Sequence, residues 1–142
     1  MSTYLITGAN RGIGLELAKQ LLESPAFEVK TIFALSRTDS NPALNDLIKR
    51  NPDRLVNIVA AVTDQQSVEH AAKEVGSRLN GAGLDVLVNN AGVAPQGAKV
   101  MEEVQAEQMR EAFDVNVVGV QFVTQAFLPL LRKGKDKKVI NV

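Results

Sequence analysis

The chain has 142 residues, of which 45% are hydrophobic and 23% charged, a composition typical of one soluble globular domain. Its 16 Lys and Arg residues balance its 16 Asp and Glu residues, so no basic surplus indicates binding to nucleic acid or to an anionic membrane. The absence of cysteine excludes disulfides and thiolate metal sites and agrees with a cytoplasmic location, and the single histidine, His70, cannot form a metal site alone.

Apolar runs alternate with helical patterns along the whole chain. A strand at 4–6 precedes a helix with apolar residues at Ile13, Leu17 and Leu21, and Pro25 ends that helix. Four further strands are predicted, at 29–35, 55–62, 84–88 and 139–142. Three further helices are predicted: a short one over 42–48, one that a capping box at 63–66 opens, and a long one over 103–131.

This alternation predicts an α/β fold, in which a doubly wound parallel sheet lies between two layers of helices, as in a Rossmann fold. The strands are nearly all apolar, as expected where helices cover both faces of a parallel sheet. We therefore expect one domain over 1–142, truncated after the fifth strand, with a fold that often serves as a dinucleotide-binding domain. His70 lies off the apolar stripe of its helix and is expected to be exposed.

The segment that connects the first strand to the first helix, 7–14, is rich in glycine. Gly8 permits a tight turn, Gly12 lets the backbone approach a diphosphate, and Gly14 lets the helix pack closely on the sheet. Free N–H groups and the helix dipole then attract the anion. A turn without a ligand is the alternative, since the spacing is neither G-x-G-x-x-G nor that of a Walker loop. The predicted cofactor-binding residues here are Gly8, Asn10, Arg11, Gly12, Ile13 and Gly14.

Three motifs resemble those of the short-chain dehydrogenases/reductases. They are Thr-Gly-x-x-x-Gly-x-Gly at 7–14, Asn-Asn-Ala-Gly at 89–92 after the fourth strand, and Asn116 in the long helix. They occur in the family's order, and the segments 10–15 and 36–37 are most similar to the carbonyl-reductase-like branch. The resemblance implies an oxidoreductase that uses NAD(P) and acts on a small-molecule carbonyl substrate.

The end of the second strand, Ser36-Arg37, indicates which dinucleotide binds. Arg37 can hold a phosphate with its planar guanidinium, Ser36 can donate a hydrogen bond, and Arg11 lies on the same side of the site. The resemblance implies that a basic residue in either place marks NADP(H), so we predict NADP(H) over NAD(H). Two alternatives are that both arginines are only solvated and that Asp39 favours NAD.

The sequence departs from the family after the third strand. Members usually carry an aspartate there that meets the adenine amino group, and the matching residue is Ala61. Asp64, three residues later, is interpreted as a helix cap or its neighbour. The adenine contact is therefore expected to rest on the backbone of Val62 alone.

The resemblance implies that residues 89–92 border the adenosine ribose and the nicotinamide of the bound dinucleotide, with Asn89, Ala91 and Gly92 as predicted binding residues. Short amide side chains can connect neighbouring strand ends, and Ala and Gly leave room for a flat ring, although a turn without a ligand is the alternative. The resemblance implies that Asn116 holds a water in a proton relay to a catalytic lysine. The alternative is a buried, satisfied amide that bends the helix.

The family's Ser-Tyr-Lys catalytic residues are not in this chain. The serine would follow Val142, and the only tyrosine, Tyr4, lies in the first strand. We therefore expect the chain to be inactive alone. Three hypotheses follow: part of an NADP(H)-dependent carbonyl reductase, a non-catalytic module that binds NADP(H) or a partner, and a structural remnant.

The long helix is apolar nearly all round, which requires burial on several sides. We expect it to form a homo-oligomer through 103–131 and expect 139–142 to form an unprotected sheet edge. The sequence predicts no segment long and apolar enough to cross a bilayer, no membrane partner and no secretion signal.

Overall fold

A computed structural model describes residues 1–95, 97 and 100–142. Their strands form one parallel sheet in the order β3-β2-β1-β4-β5. The strands are β1 Ser2–Thr7, β2 Val29–Ser36, β3 Leu55–Val59, β4 Val86–Asn89 and β5 Lys138–Asn141. The predicted doubly wound α/β fold is confirmed, with β1 at the centre of the sheet and β3 and β5 at its edges.

Helices lie on both faces of the sheet. They are α1 Gly12–Glu23, α2 Pro42–Arg50, α3 Gln65–Leu79, α4 Ala106–Phe113 and α5 Gly119–Lys133. A short 3₁₀ helix, Met101–Glu103, precedes α4, and a π-helical segment, Asp114–Val118, joins α4 to α5 without a break. Helices α1 and α2 pack against one face, and α3 and α5 against the other.

The strands supply two separate cores because successive side chains of a strand point to opposite faces. Leu5 and Phe33 pack towards α3 and α5, together with Phe127 of α5. Ile6 and Ile32 pack towards α1 and α2. The three layers therefore form on strands that are apolar on both faces, as the sequence predicted.

Most strand boundaries differ from the prediction by one or two residues, and two differences have a clear cause. β3 ends at Val59 and not at Val62, because its partner β2 ends at Ser36, which pairs with Val59. β4 begins at Val86 and not at Leu84, because the Leu84 N–H donates to the Leu130 carbonyl of α5 at 3.0 Å. In both cases the hydrogen bonds of the neighbouring element set the strand boundary.

Two helix starts and the burial of one residue also differ, and the long helix begins at Ala106 and not at 103. The predicted capping box at 63–66 is wrong by one residue, because the side chain of Asp64 caps α3 and accepts a hydrogen bond from the Ser67 N–H at 3.2 Å. Ile13, predicted on the core face of α1, is 66% exposed. It belongs to the first turn of α1, beyond the sheet edge, and the buried face is formed by Gly14, Leu15 and Ala18.

The continuous helix Ala106–Lys133 has 28 residues and is the one described segment that is long and apolar enough to cross a membrane by length and composition. The expectation of no such segment was wrong. The π segment joins α4 and α5 into one long helix, and the acidic residues of that helix are confined to its first part. A core helix passes the same test, and Val123, Phe127 and Leu131 are buried against the sheet.

Candidate functional site

A cleft lies at the carboxyl edge of the sheet where the chain changes direction. The chain passes from β1 to β2 on one side, whereas β4 pairs with β1 on the other, so the loops after β1 and β4 diverge. The cavity there has a volume of about 760 Å³. Ten of the predicted site residues line it: Gly8, Asn10, Arg11, Gly12, Ile13, Ser36, Arg37, Val62, Ala91 and Gly92.

The three glycines of the β1–α1 turn have different roles. Gly8 has φ +65°, and a Cβ on it would lie 2.9 Å from the Ala91 Cα, so both conformation and space require glycine. A Cβ on Gly14 would lie 2.5 Å from the Gly8 carbonyl oxygen, so Gly14 serves the packing of α1 and does not line the cleft. Gly12, with φ +54°, has nothing within 4 Å of its Cβ position and opens onto the cleft.

The N-terminus of α1 points into the cleft without a capping group. Arg11 is the N-cap residue, its side chain makes no capping hydrogen bond, and the first turn of α1 contains no acidic residue. The first N–H groups of a helix have no partner within the helix. These groups and the helix dipole favour an anion at this point, next to the space that Gly12 leaves open.

Hydrogen bonds between Thr7 and Asn90 hold together the loops that follow β1 and β4. The buried Thr7 hydroxyl accepts hydrogen bonds from the backbone N–H groups of Asn90 at 3.0 Å and Ala91 at 2.9 Å. The Asn90 amide nitrogen donates to the carbonyl oxygens of Thr7 at 3.0 Å and Gly8 at 3.2 Å. Asn90 is therefore the residue that connects the two turns.

Arg37 and Arg11 form a basic side of the cleft. Both are exposed, and neither makes an ion pair with any residue that the structure describes. Ser36 is 3% exposed, and its hydroxyl donates to the Thr38 carbonyl oxygen at 2.7 Å. The Ser36 hydroxyl therefore shapes the loop that carries Arg37, and the two guanidinium groups are the ones available to a ligand.

The end of β3 forms an apolar wall. Ala60 and Val62 line the cavity with the exposed Thr63 beside them, whereas Asp64 caps α3 and does not line it. A Cβ on Gly119 would lie 2.9 Å from Val62 Cγ2, so the start of α5 packs directly against this wall. The carboxylate that the family carries at Ala61 is thus not replaced by Asp64.

The opposite wall comes from α4 and the π segment, which the sequence analysis missed. The residues of this wall are Glu107, Arg110, Glu111, Asp114 and Val115. Charged residues at 107, 110, 111 and 114 follow helical spacing and form one stripe on an otherwise apolar helix, which is the signal that could have identified this face. Glu107 forms an ion pair with Arg110.

A second cavity of about 530 Å³ lies beyond the ends of β4 and β5 and contains three asparagines. Asn89 is 4% exposed, and its amide donates to Asn141 Oδ1 at 2.9 Å, so it connects β4 to β5 and does not line the main cleft. The alternative of a buried Asn116 is wrong, because Asn116 is exposed. Its amide exchanges two hydrogen bonds of 2.8 Å with the backbone of Val93, because the π segment turns it towards that loop.

Tyr4 lies far from the cleft. Burial raises the pKa of its phenol, and the carboxylates of Asp136 and Asp85, at the amino edge of the sheet, raise it further. Both the position and the pKa are unsuited to a proton donor in the cleft. In the part of the chain that the structure describes, no group of three or more His, Asp or Glu side chains could hold a metal ion.

Comparison with known proteins identifies relatives of one family. The family model described as short chain dehydrogenase matches residues 2–142. The chain is 38% identical to the short-chain dehydrogenase/reductase AacuF of Aspergillus aculeatus, with 100% of this chain and 54% of the relative covered. The chain therefore spans about half the length of such relatives.

Solved structures agree with this likeness. The NADPH-bound carbonyl reductase from chicken fatty liver is 37% identical, with a TM-score of 0.82, and the match covers 94% of this chain and 52% of that one. The carbonyl reductase Sniffer of Drosophila melanogaster is 30% identical, with a TM-score of 0.84 and coverage of 94% and 53%. The similarity thus includes the sheet and the helices around the cleft.

Proposed function

The chain belongs to the short-chain dehydrogenase family, and on that premise we propose that it binds NADP(H) in the cleft and forms the cofactor-binding part of an oxidoreductase that acts on a carbonyl substrate. One observation carries the proposal: the uncapped N-terminus of α1 opens onto the 760 Å³ cleft at Gly12. The nicotinamide, when bound, supplies a hydride. The residues of this chain bind and orient the dinucleotide.

The turn over 7–14 fits a diphosphate. Backbone N–H groups at the start of α1 are free to donate to phosphate oxygens, and the open side of Gly12 lets those oxygens approach closely. Gly8 and Gly14 keep the turn in place through contacts that leave no room for a side chain. The binding surface therefore exists without a change of conformation.

Arg37 and Arg11 support NADP(H) over NAD(H). Both guanidinium groups are exposed beside the cleft and can each donate two hydrogen bonds to a phosphate. Asp39, the residue that could favour NAD, does not line the cavity, and its backbone oxygen accepts a hydrogen bond from the Asn45 amide at 2.8 Å. The carbonyl reductase from chicken fatty liver, 37% identical, has NADPH bound.

We also propose that these 142 residues have no reductase activity alone. Tyr4 is the only tyrosine and lies at the wrong edge of the sheet, so the chain offers no phenol to protonate an alkoxide. Asn116, which the resemblance implies in a proton relay, bonds to the Val93 backbone beside the second cavity. A water-holding role for it remains part of this proposal.

A fluorescence titration with NADPH and NADH tests the cofactor proposal. We expect Arg37→Ala to weaken NADPH binding by roughly ten- to a hundredfold, since a charge-assisted bidentate contact is lost, and to leave NADH binding nearly unchanged. Arg132→Ala is the matched control, because Arg132 is an exposed arginine in the last turn of α5, far from the cleft. Equal loss of both dinucleotides, or no loss, would contradict the NADP(H) assignment.

A second candidate function is that of a module that binds a partner, with or without NADP(H). The observation that favours it is the exposed apolar side of the helix Ala106–Lys133, where Phe113 is 58% exposed and Val117 51%. We propose that a second copy of this chain covers this side, rather than a membrane, because the same helix is fixed to the core by Val123 and Phe127.

A further inference from the structure

We infer that Asp114 is the residue that selects adenine in the bound dinucleotide, an inference that rests on the proposed function. The wall at the end of β3 contributes Ala60 and Val62, and Val115 faces the same cavity. The apolar side chains of this slot suit the faces of a flat ring, and the exposed Thr63 beside them offers a hydroxyl that can donate as well as accept a hydrogen bond. A carboxylate, which only accepts hydrogen bonds and can therefore select an amino group, has to come from the neighbouring helix.

The position of Asp114 follows from two contacts. Gly119 is pressed against Val62, with its Cβ position 2.9 Å from Val62 Cγ2. The Gly119 N–H donates to the Asp114 carbonyl oxygen across the π turn, so Asp114 lies one turn nearer the helix N-terminus, beyond Val62. Side chains of a helix lean towards its N-terminus, and Asp114 accordingly lines the cleft next to the apolar slot.

Other carboxylates near the slot are engaged or more distant. Asp64 accepts the Ser67 N–H as the cap of α3, and Glu107 is paired with Arg110. Glu111 is one further turn away from Val62 along α4. Asp114 makes no side-chain hydrogen bond or ion pair with the residues that the structure describes, so its oxygens are available to a ligand.

The chemistry of a carboxylate at this place is selective. An ionised carboxylate only accepts hydrogen bonds, so it takes an N–H from the 6-amino group of adenine and repels a 6-oxo group. An asparagine of the same shape can both accept and donate. The inference therefore predicts a preference that depends on the charge of residue 114 and not on its size.

The test compares NADPH with its analogue in which hypoxanthine, a 6-oxo purine, replaces adenine. Dissociation constants are measured by nicotinamide fluorescence for the wild-type chain, Asp114→Asn and Asp53→Asn. Asp53 is an exposed aspartate just before β3, at the opposite edge of the sheet, and serves as the matched control. We expect the wild type and Asp53→Asn to prefer NADPH by about tenfold or more, as for a hydrogen bond to a charged group, and Asp114→Asn to lose that preference.

Each result has one meaning. A wild-type chain that binds both dinucleotides equally, or an Asp114→Asn variant that keeps the full preference, overturns the role of Asp114 and leaves the proposed function intact. A wild-type chain that binds neither overturns the proposed function and this inference with it. Circular dichroism and thermal unfolding of Asp114→Asn and of Asp114→Ala check that the fold is retained, as expected at an exposed position.

Discussion

β2 and β5 belong to the same parallel sheet and have opposite surroundings. β2 lies between β1 and β3, and all but two of its residues are buried. β5 pairs with β4 alone, and all four of its residues are exposed, with Val139 at 43% and Ile140 at 46%. Apolar sequence gives both segments the same preference for a strand, whereas burial depends on the neighbours that each strand has.

The same difference separates two larger regions of the molecule. Around the cleft, backbone groups of β1, β4 and α1 are in close contact, and Gly14 and the Thr7 hydroxyl leave no free space between them. In the region of β5 and the helix Ala106–Lys133, apolar side chains such as Phe113 face outwards. The cleft region is closely packed, whereas the other region leaves apolar side chains exposed.

The largest effect is expected where the cleft region has no space. Gly14→Ala should lower the free energy of unfolding by about 3 kcal/mol, because its Cβ would lie 2.5 Å from the Gly8 carbonyl oxygen and 2.6 Å from the Asn90 amide nitrogen. Gly76 of α3 is the matched control, since a Cβ there would make an ordinary contact of 3.5 Å with Leu130. Urea denaturation should show Gly76→Ala to be more stable than wild type by up to about 1 kcal/mol.

Gly12→Ala sharpens the same comparison. It has open space around its Cβ position, so it should cost only about 1 kcal/mol, for its positive φ. It should nevertheless weaken dinucleotide binding, because the new methyl group faces the cleft. If Gly14→Ala were as mild as Gly12→Ala, the cleft region would be looser than the close contacts indicate.

An effect between those of Gly14→Ala and Gly12→Ala is expected at Asp85, which connects the two regions. Its carboxylate accepts hydrogen bonds from the Thr3 N–H at 2.8 Å and from the Lys135 N–H, in the loop before β5, at 2.6 Å. Asp85→Asn places an amide N–H against one of these donors and should cost about 2 kcal/mol in urea denaturation. Asp53→Asn, at an exposed position, should change stability by less than about 0.5 kcal/mol.

Asp85 also predicts a pH dependence with a definite sign. Burial raises the pKa of its carboxyl, but hydrogen bonds from Lys135, Thr3 and Asp136 outweigh burial and hold that pKa below its ordinary value of 3.8. The folded pKa is lower than the unfolded one, so the stabilisation is complete above the ordinary pKa and is lost as the pH falls through the folded pKa. Asp85→Asn should therefore reduce the loss of unfolding free energy at low pH. If the unfolding free energy of Asp85→Asn falls as steeply with pH as that of the wild type, other carboxylates cause the acid sensitivity.

Local chemistry made much of the cleft predictable. The turn over 7–14 follows from glycines at fixed spacing between a strand and a helix, and the structure gives each of the three glycines the conformation or the space expected of it. The buried face of α3 follows from its periodicity, with Val68, Val75 and Leu79 in the core. Both features depend on residues that are close in sequence.

Features that depend on distant residues were missed. The wall of Glu111 and Asp114 faces the cleft only because α5 docks through Gly119 on Val62, a contact between segments more than 50 residues apart. Asn116 is exposed because a π turn, which no periodicity predicts, rotates it towards Val93. Helical phase could be read from the sequence, but the direction in which each face points depends on tertiary packing.

The smallest effect on stability is expected at Phe113, on the exposed side of the helix Ala106–Lys133. Phe113→Lys should change the unfolding free energy of the monomer by no more than about 0.5 kcal/mol, because the side chain is 58% exposed. It should nevertheless abolish self-association in sedimentation velocity, since a charge would replace an aromatic residue at the proposed interface.

Phe27→Lys is the matched control, because Phe27 is 71% exposed in the turn between α1 and β2, far from that helix. We expect it to associate like the wild type. A wild-type chain that stays monomeric at all concentrations would remove the second copy as the occupant of this surface, and flotation with lipid vesicles would then identify a membrane as the occupant. If Phe27→Lys and Phe113→Lys disrupted association equally, exposed aromatic residues in general would drive it, and the difference between the two regions would have no bearing on assembly.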